Sequence, residues 1–120
     1  MNDVDAIAEL LQQYGSRFDA RDSNGFSELF TDDAVVIAPG GHEIIGRDRL
    51  VKMVARTPPG GQHVVAHPEI EIQNDEATST TRFSATLADG SDTAGRYENT
   101  FVRTPDGWRI SRHVIVPDAT

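Results

Sequence analysis

From His63 to Val116 the chain alternates between strand-length segments and connections too short to hold anything but a hairpin. His63–Gln73, Ala77–Ala88, Ala94–Arg103 and Trp108–Val116 are rich in β-branched and aromatic residues, and "ND", "DGSD" and "TPDG" separate them. Proline entering and glycine leaving the last of these is a strong tight-turn signal. Consecutive strands joined this way pair as antiparallel neighbours, so nearly half of the chain is committed to one meandering sheet. Four strands of this length twist and bend, and one face of the sheet must be covered.

The first half supplies the cover. Ile7, Leu10, Leu11, Tyr14 and Phe18 recur at the spacing of one buried helical stripe, which predicts a helix from about Asp3, as N-cap, to near Ala20. "RDSNG" breaks it. Asn24 is placed to cap a short second helix with Phe26, Leu29 and Phe30 along one edge. "AVVIA" at 34–38, ended by "PGG" and answered by "HEIIG", reads as a hairpin. "RDRLVKMVAR" then puts Leu50, Met53 and Val54 on one face of a third helix, which "TPPGGQ" ends. Three N-terminal helices on a bent antiparallel sheet make an α+β domain. Where helices cover such a sheet without filling it, an apolar pocket remains.

At 120 residues the chain is expected to be a single domain, 1–120, with a core large enough to need no staples. It has no cysteine, which excludes thiol catalysis and cysteine-bound zinc. A formal charge of −8 with acidic residues spread along the chain argues against nucleic acid as a partner. Met1–Asp5 is acidic and lacks the basic and apolar regions of a leader, and no apolar run approaches the ~20 residues of a membrane-spanning helix. A cytoplasmic chain with no membrane partner is the resulting expectation. No P-loop, dinucleotide fingerprint or Gly-x-Ser-x-Gly motif is present, and no cofactor is expected. His63 and His67 would lie ~13 Å apart on an extended strand, too far to share one ion, and no metal is expected either.

Candidate functional residues follow from which polar side chains turn inward. The stripe of the first helix carries the Tyr14 phenol inward, where it meets either a backbone carbonyl or a ligand, and Asp19 follows five residues later. An ideal helix sets Asp19 140° around from Tyr14, so both reach one pocket only if Asp19 sits at its rim or the last turn is distorted. Alternation in the third long segment places Asn99 between Tyr97 and Phe101. In the last, Trp108, Ile110 and Val114 share a face, and strict alternation puts Arg112 with them, either lining the pocket or reaching solvent from its open end. His63 depends on Pro68. With Ile70 and Ile72 inward, unbroken alternation turns His63 outward, whereas one bulged residue near Ala66–Pro68 reverses the parity and points it into the pocket.

In order and spacing, "YGSRFDARD" at 14–22, "FSELFTDDAVV" at 26–36, "EIIGRDRLVKMV" at 43–54, "HVVAHPEIEIQNDEATSTTRF" at 63–83 and "GRYENTFVRTPDGWRISRHVIV" at 95–116 resemble the SnoaL-like proteins of the NTF2-like superfamily. The resemblance implies a cone of three helices on a strongly bent antiparallel sheet, commonly assembled as a homodimer. Among enzymes of this fold it is similar to the scytalone dehydratase, bile acid dehydratase and polyketide cyclase type. There a helix-1 tyrosine, an aspartate five residues on and a strand histidine line the cone, positions held here by Tyr14, Asp19 and His63, with Arg112 matching a last-strand arginine of some relatives. It implies a cofactor-independent lyase, isomerase or cyclase that moves protons next to a carbonyl of a hydrophobic, polycyclic, polyketide- or steroid-like molecule. Phe18, Phe30, Tyr97, Asn99, Phe101 and Trp108 are then candidate substrate contacts. In the sequence, Ala38 stands where a ketosteroid isomerase would carry its aspartate base, and Asn99 where similar segments carry an aspartate. The alternative is a noncatalytic module that binds a small ligand or acts as a dimeric scaffold, like the β subunits of ring-hydroxylating dioxygenases. A dimer is expected through the outer face of the long strands, with Val102 and Ile115 as exposed examples.

Overall fold

The computed structural model describes residues 2–118. Helix α1 (Asp3–Asp19) is capped by Asn2, whose side-chain oxygen accepts from the Asp5 N–H at 2.8 Å, one residue before the expected cap. Helix α2 (Ser23–Ser27) is shorter than the sequence pattern implies, and its cap is Asp22, not Asn24. Phe30 already belongs to strand β1 (Phe30–Ile37), which forms a hairpin with β2 (Glu43–Ile45). Helix α3 (Arg47–Arg56) matches the expected segment residue for residue.

The strands that follow are β3 (Gln62–Val65), β4 (Glu69–Gln73), β5 (Glu76–Thr86), β6 (Asp92–Thr104) and β7 (Gly107–Pro117). They form a strongly curved, open sheet in the order β2-β1-β7-β6-β5-β3, with β4 also paired to β5. All pairs are antiparallel except β1 with β7. The turn between β6 and β7 uses Gly107 at φ 108°, a conformation that strains any residue with a Cβ.

Two bulges set which side chains face the helices. Val65 pairs with Phe83 and the Ala66 N–H reaches the Arg82 carbonyl, yet Glu69 pairs with Thr80, so His67 and Pro68 together oppose Thr81. The proline, which cannot donate to the ladder, separates β3 from β4, and the extra residue reverses the parity. His63 and Val65 therefore share the concave face with Ile70 and Ile72, while Val64 is 67% exposed. On β7, Ile110 pairs with Phe101 and Arg112 with Thr100, leaving Ser111 as a second extra residue. This corrects the reading of the last strand. Trp108 and Ile110 face inward, but beyond the bulge His113 and Ile115 face inward, and Arg112 and Val114 lie on the convex face.

The core lies between the concave face and the helices. Ile7, Leu11 and Tyr14 of α1, Phe26, Phe30, and Leu50 and Val54 of α3 meet Phe83, Tyr97, Phe101 and Ile110 of the sheet. Truncating a residue such as Leu11, fully buried, to alanine is expected to cost about 2–5 kcal/mol.

Candidate active site

The C-terminal end of α1 passes over β3. Gln12 donates to the Val65 carbonyl at 2.9 Å, and Gly15, which lacks a Cβ, lies against His63 and Val65. One turn further, at the last residue of the helix, Asp19 lies beside His63, while Tyr14 points into the packed interior and does not share the cavity with it. The Asp19 carboxylate holds a single residue twice. Oδ2 accepts the His63 backbone N–H at 2.7 Å and Oδ1 meets His63 Nδ1 at 2.6 Å. A carboxylate only accepts, so Nδ1 carries a hydrogen, and the neutral imidazole presents Nε2 as a free base. Both side chains are partly open, 16% exposed for His63 and 23% for Asp19.

Beside this pair opens a cavity of about 580 Å³, within the usual range for small-molecule sites. Phe18, whose ring lies 5.0 Å from that of His63, forms one wall. The segment after α3, with Pro58 and Pro59, and the β5–β6 hairpin, with Leu87 and Ala88, form the others. Arg21, at φ 60°, also borders it and ties this corner together by donating to the Ala55 carbonyl at 2.7 Å.

Beneath the cavity floor the cone is packed. The Tyr14 ring stands edge-on to His63 at 6.5 Å and lies 5.0 Å from Phe26, 5.3 Å from Tyr97 and 4.4 Å from His113. Burial pushes the Tyr14 phenol well above its ordinary range, and burial followed by the nearness of Tyr14 does the same to Tyr97, so both stay protonated. His113 is fully buried, and its Nδ1 lies 2.7 Å from the Asn99 amide nitrogen. Burial, and then the neighbouring His63, push its pKa down to about 3, which keeps the ring neutral.

Of the residues marked from sequence, Asp19, His63 and Phe18 converge on the cavity, and Tyr14, Tyr97 and Asn99 form the layer beneath it. Phe30 and Phe101 are fully buried core residues. Trp108 is far from the cavity, near the start of α1, where its indole donates to Asp3 at 3.1 Å and the Arg103 guanidinium lies 4.5 Å over its ring. Arg112 is exposed on the convex face, turned there by the Ser111 bulge. The inward polar group at this level is His113, which alternation through Ile110 and Val114 hides. The "TPPGGQ" segment, read as a turn, also supplies a cavity wall, as do Thr86, Leu87 and Ala88, read as the end of a strand, with Asp89 of "DGSD". Among the described residues no three histidine or acidic side chains are grouped to hold a metal.

Three helices laid on a strongly curved, open sheet define the class of the chain, the NTF2-like fold. Within it, the chain belongs to the SnoaL-like domain family, whose profile matches residues 1–114. An uncharacterised protein of Mycobacterium tuberculosis, Rv2910c, is 30% identical over 118 residues, covering 90% of this chain and 80% of that protein. An NTF2-like protein with a cystatin-like fold from Novosphingobium aromaticivorans superposes with a TM-score of 0.87 at 24% identity, covering 98% of this chain and 84% of that one. A hexachlorocyclohexane dehydrochlorinase, LinA type 2, superposes with a TM-score of 0.85 at 17% identity, covering 95% and 84%.

Proposed function

We propose that the protein is a cofactor-independent lyase or isomerase that moves protons next to a carbonyl group of a hydrophobic small molecule. The observation that carries this reading is the His63–Asp19 pair at the edge of an open, largely apolar cavity. In the proposed reaction Nε2 of His63 takes the proton from the carbon beside the carbonyl, and the C–H electron pair moves into the carbonyl to give an enolate. Re-formation of the carbonyl expels a β-hydroxyl, which takes the same proton from the imidazolium and leaves as water. Return of the proton to a more distant carbon instead gives a double-bond shift, and attack of the enolate carbon on a second carbonyl, whose oxygen takes the proton from the imidazolium, gives a ring carrying a hydroxyl. Asp19 fixes the tautomer throughout. Tyr14, held protonated by burial, is assigned as donor to the developing oxyanion. A positioned base of this kind contributes ~10²–10⁴-fold in rate. The elimination named for the LinA type 2 enzyme, loss of a leaving group from a carbon skeleton, is chemistry of the same kind on a similar fold.

The walls of Phe18, Pro58, Pro59 and Leu87 fit an aromatic or polycyclic ligand. A thermal-shift screen of steroid-like, terpenoid and polyketide compounds is the first test, because a ligand that binds only the folded state raises its melting temperature by mass action. One class is expected to stabilise the protein and to be converted by it. A flat response across all classes contradicts the pocket, and stabilisation without conversion favours the noncatalytic binding module.

A further inference from the structure

Helix α1 ends in a turn of the kind most often built on glycine. The Asp22 N–H reaches the Arg17 carbonyl at 2.9 Å and the Arg21 N–H reaches the Phe18 carbonyl at 3.0 Å, the paired backward bonds that close a helix through one left-handed residue. That residue is Arg21, at φ 60°. Glycine takes this conformation without strain and a residue with a long side chain does not, so the backbone gives no reason for an arginine here. The reason lies in what the side chain reaches.

Arg21 borders the cavity beside His63. Its Nη2 donates to the carbonyl of Ala55, in the last turn of α3, where no further turn of helix supplies a donor. This bond fixes the head of the side chain and leaves the other N–H donors of its planar fork open. Arg47, Arg82, Arg96 and Arg103 each hold a carboxylate, whereas Arg21 holds none among the described residues, in a chain with 19 acidic side chains. The two carboxylates that line the same cavity are turned elsewhere. Asp19 is spent on His63, and Asp89 on Ser91, whose N–H and hydroxyl meet its Oδ1 at 2.9 and 2.6 Å.

With the His63 imidazole neutral, Arg21 is the one cation among the lining residues, and it shares the cavity with the apolar walls of Phe18, Pro58, Pro59 and Leu87. A cation with open donors beside apolar walls favours an anion with an apolar body, and the planar fork matches a carboxylate, two oxygens on two N–H groups. A phosphate ester would find no lysine or second arginine in the cavity to balance its further charge.

We propose that Arg21 anchors the carboxylate of a ligand whose apolar body fills the cavity beside His63. This rests on the proposed use of the cavity as a small-molecule site. It narrows the ligand to an aromatic or polycyclic keto acid, held at one end by Arg21 while the carbon beside its keto group meets His63.

The test compares 2-naphthoate with 2-naphthamide, a neutral probe of matched shape, by calorimetric titration at neutral pH against the wild-type protein and variants. Wild type is expected to bind the naphthoate about tenfold more tightly, the scale of a charge-assisted hydrogen bond, and added salt to narrow the gap. Arg21→Gly is expected to fold, since glycine relieves the left-handed turn, and to abolish the preference by weakening the naphthoate alone. Arg21→Gln, which keeps an amide donor but no charge, is expected to do the same, and carries the test if the glycine variant melts early. His63→Ala is expected to keep the preference, which separates the anchor from the proton-transfer chemistry. Equal affinity of wild type for the two probes, a preference that survives both Arg21→Gly and Arg21→Gln, or an equal weakening of both probes in those variants, overturns the anchor and leaves the cavity reading standing. Failure of both probes to bind wild type at millimolar concentration overturns the anchor together with the cavity reading beneath it.

Discussion

Asp19 spends both carboxylate oxygens on His63, and this pairing decides what the imidazole can do. Asp19→Asn keeps the shape but lets the amide nitrogen face Nδ1, favouring the wrong tautomer. We predict a fall in turnover of roughly 10²–10⁴-fold with little change in melting temperature, by analogy with other carboxylate-held histidines. Tyr14→Phe removes one donor and is expected to be milder, about 3 kcal/mol in transition-state stabilisation or less. His113 has the opposite character: buried and held neutral, with its folded pKa near 3 against an ordinary 6.5. The unfolded chain then binds more protons than the folded one between these values, so stability is full above pH 6.5 and is lost as pH falls toward 3. The slope is at most about 1.4 kcal/mol per pH unit. Carboxylates held low by partners, such as Asp3 beside Arg103, begin to contribute only below about pH 5. Urea titrations from pH 6.5 to 5 therefore stay clear of them, and His113→Gln is expected to flatten the dependence in that window. An unchanged slope would show that His113 does not carry it.

At the scale of elements, the two bulges explain which parts of the site are legible in the sequence. Amphipathic spacing places Tyr14 correctly, α3 has the expected bounds, and Pro68 marks a place where strand parity can reverse, which makes the inward orientation of His63 readable as a condition. Ser111 carries no such mark. A serine between Ile110 and Arg112 fits an unbroken strand equally well, so Arg112 reads as inward and His113 as outward, the reverse of the structure. The cavity walls are hidden for another reason: they come from loops brought together from residues 57–61 and 86–89, and local periodicity carries no information on that meeting. Deleting Ser111, the residue left over between the Ile110–Phe101 and Arg112–Thr100 pairs, is predicted to leave an unbroken strand with Arg112 still convex and His113 and Ile115 still inward. The expected change in chemical denaturation is small, about 1–2 kcal/mol at most, because no charge enters the core. A deletion variant that loses about 3–5 kcal/mol, the cost of an uncompensated buried charge, would contradict this register.

At the scale of the whole molecule, no element among the described residues covers the convex face of the sheet. Val35, Ile37, Val114 and Val116 are half-buried on the convex side, and Ile45 beside them is 50% exposed, whereas Ile115 packs inward. A second copy placed there would bury this apolar strip, and we expect sedimentation at micromolar concentration to give a species of about twice 13.1 kDa. A monomer would contradict that expectation without touching the His63–Asp19 pair, which forms within one chain. The central claim, that His63 held by Asp19 moves protons beside a carbonyl in the cavity, is tested most directly by proton exchange in a bound ketone. With 2-tetralone in deuterated buffer, NMR follows the loss of hydrogen at the carbons flanking the carbonyl. The wild-type protein is predicted to accelerate that loss above the buffer rate, and His63→Ala, folded by its melting curve, to return it to the buffer rate. Equal exchange rates with wild type and His63→Ala would contradict the account.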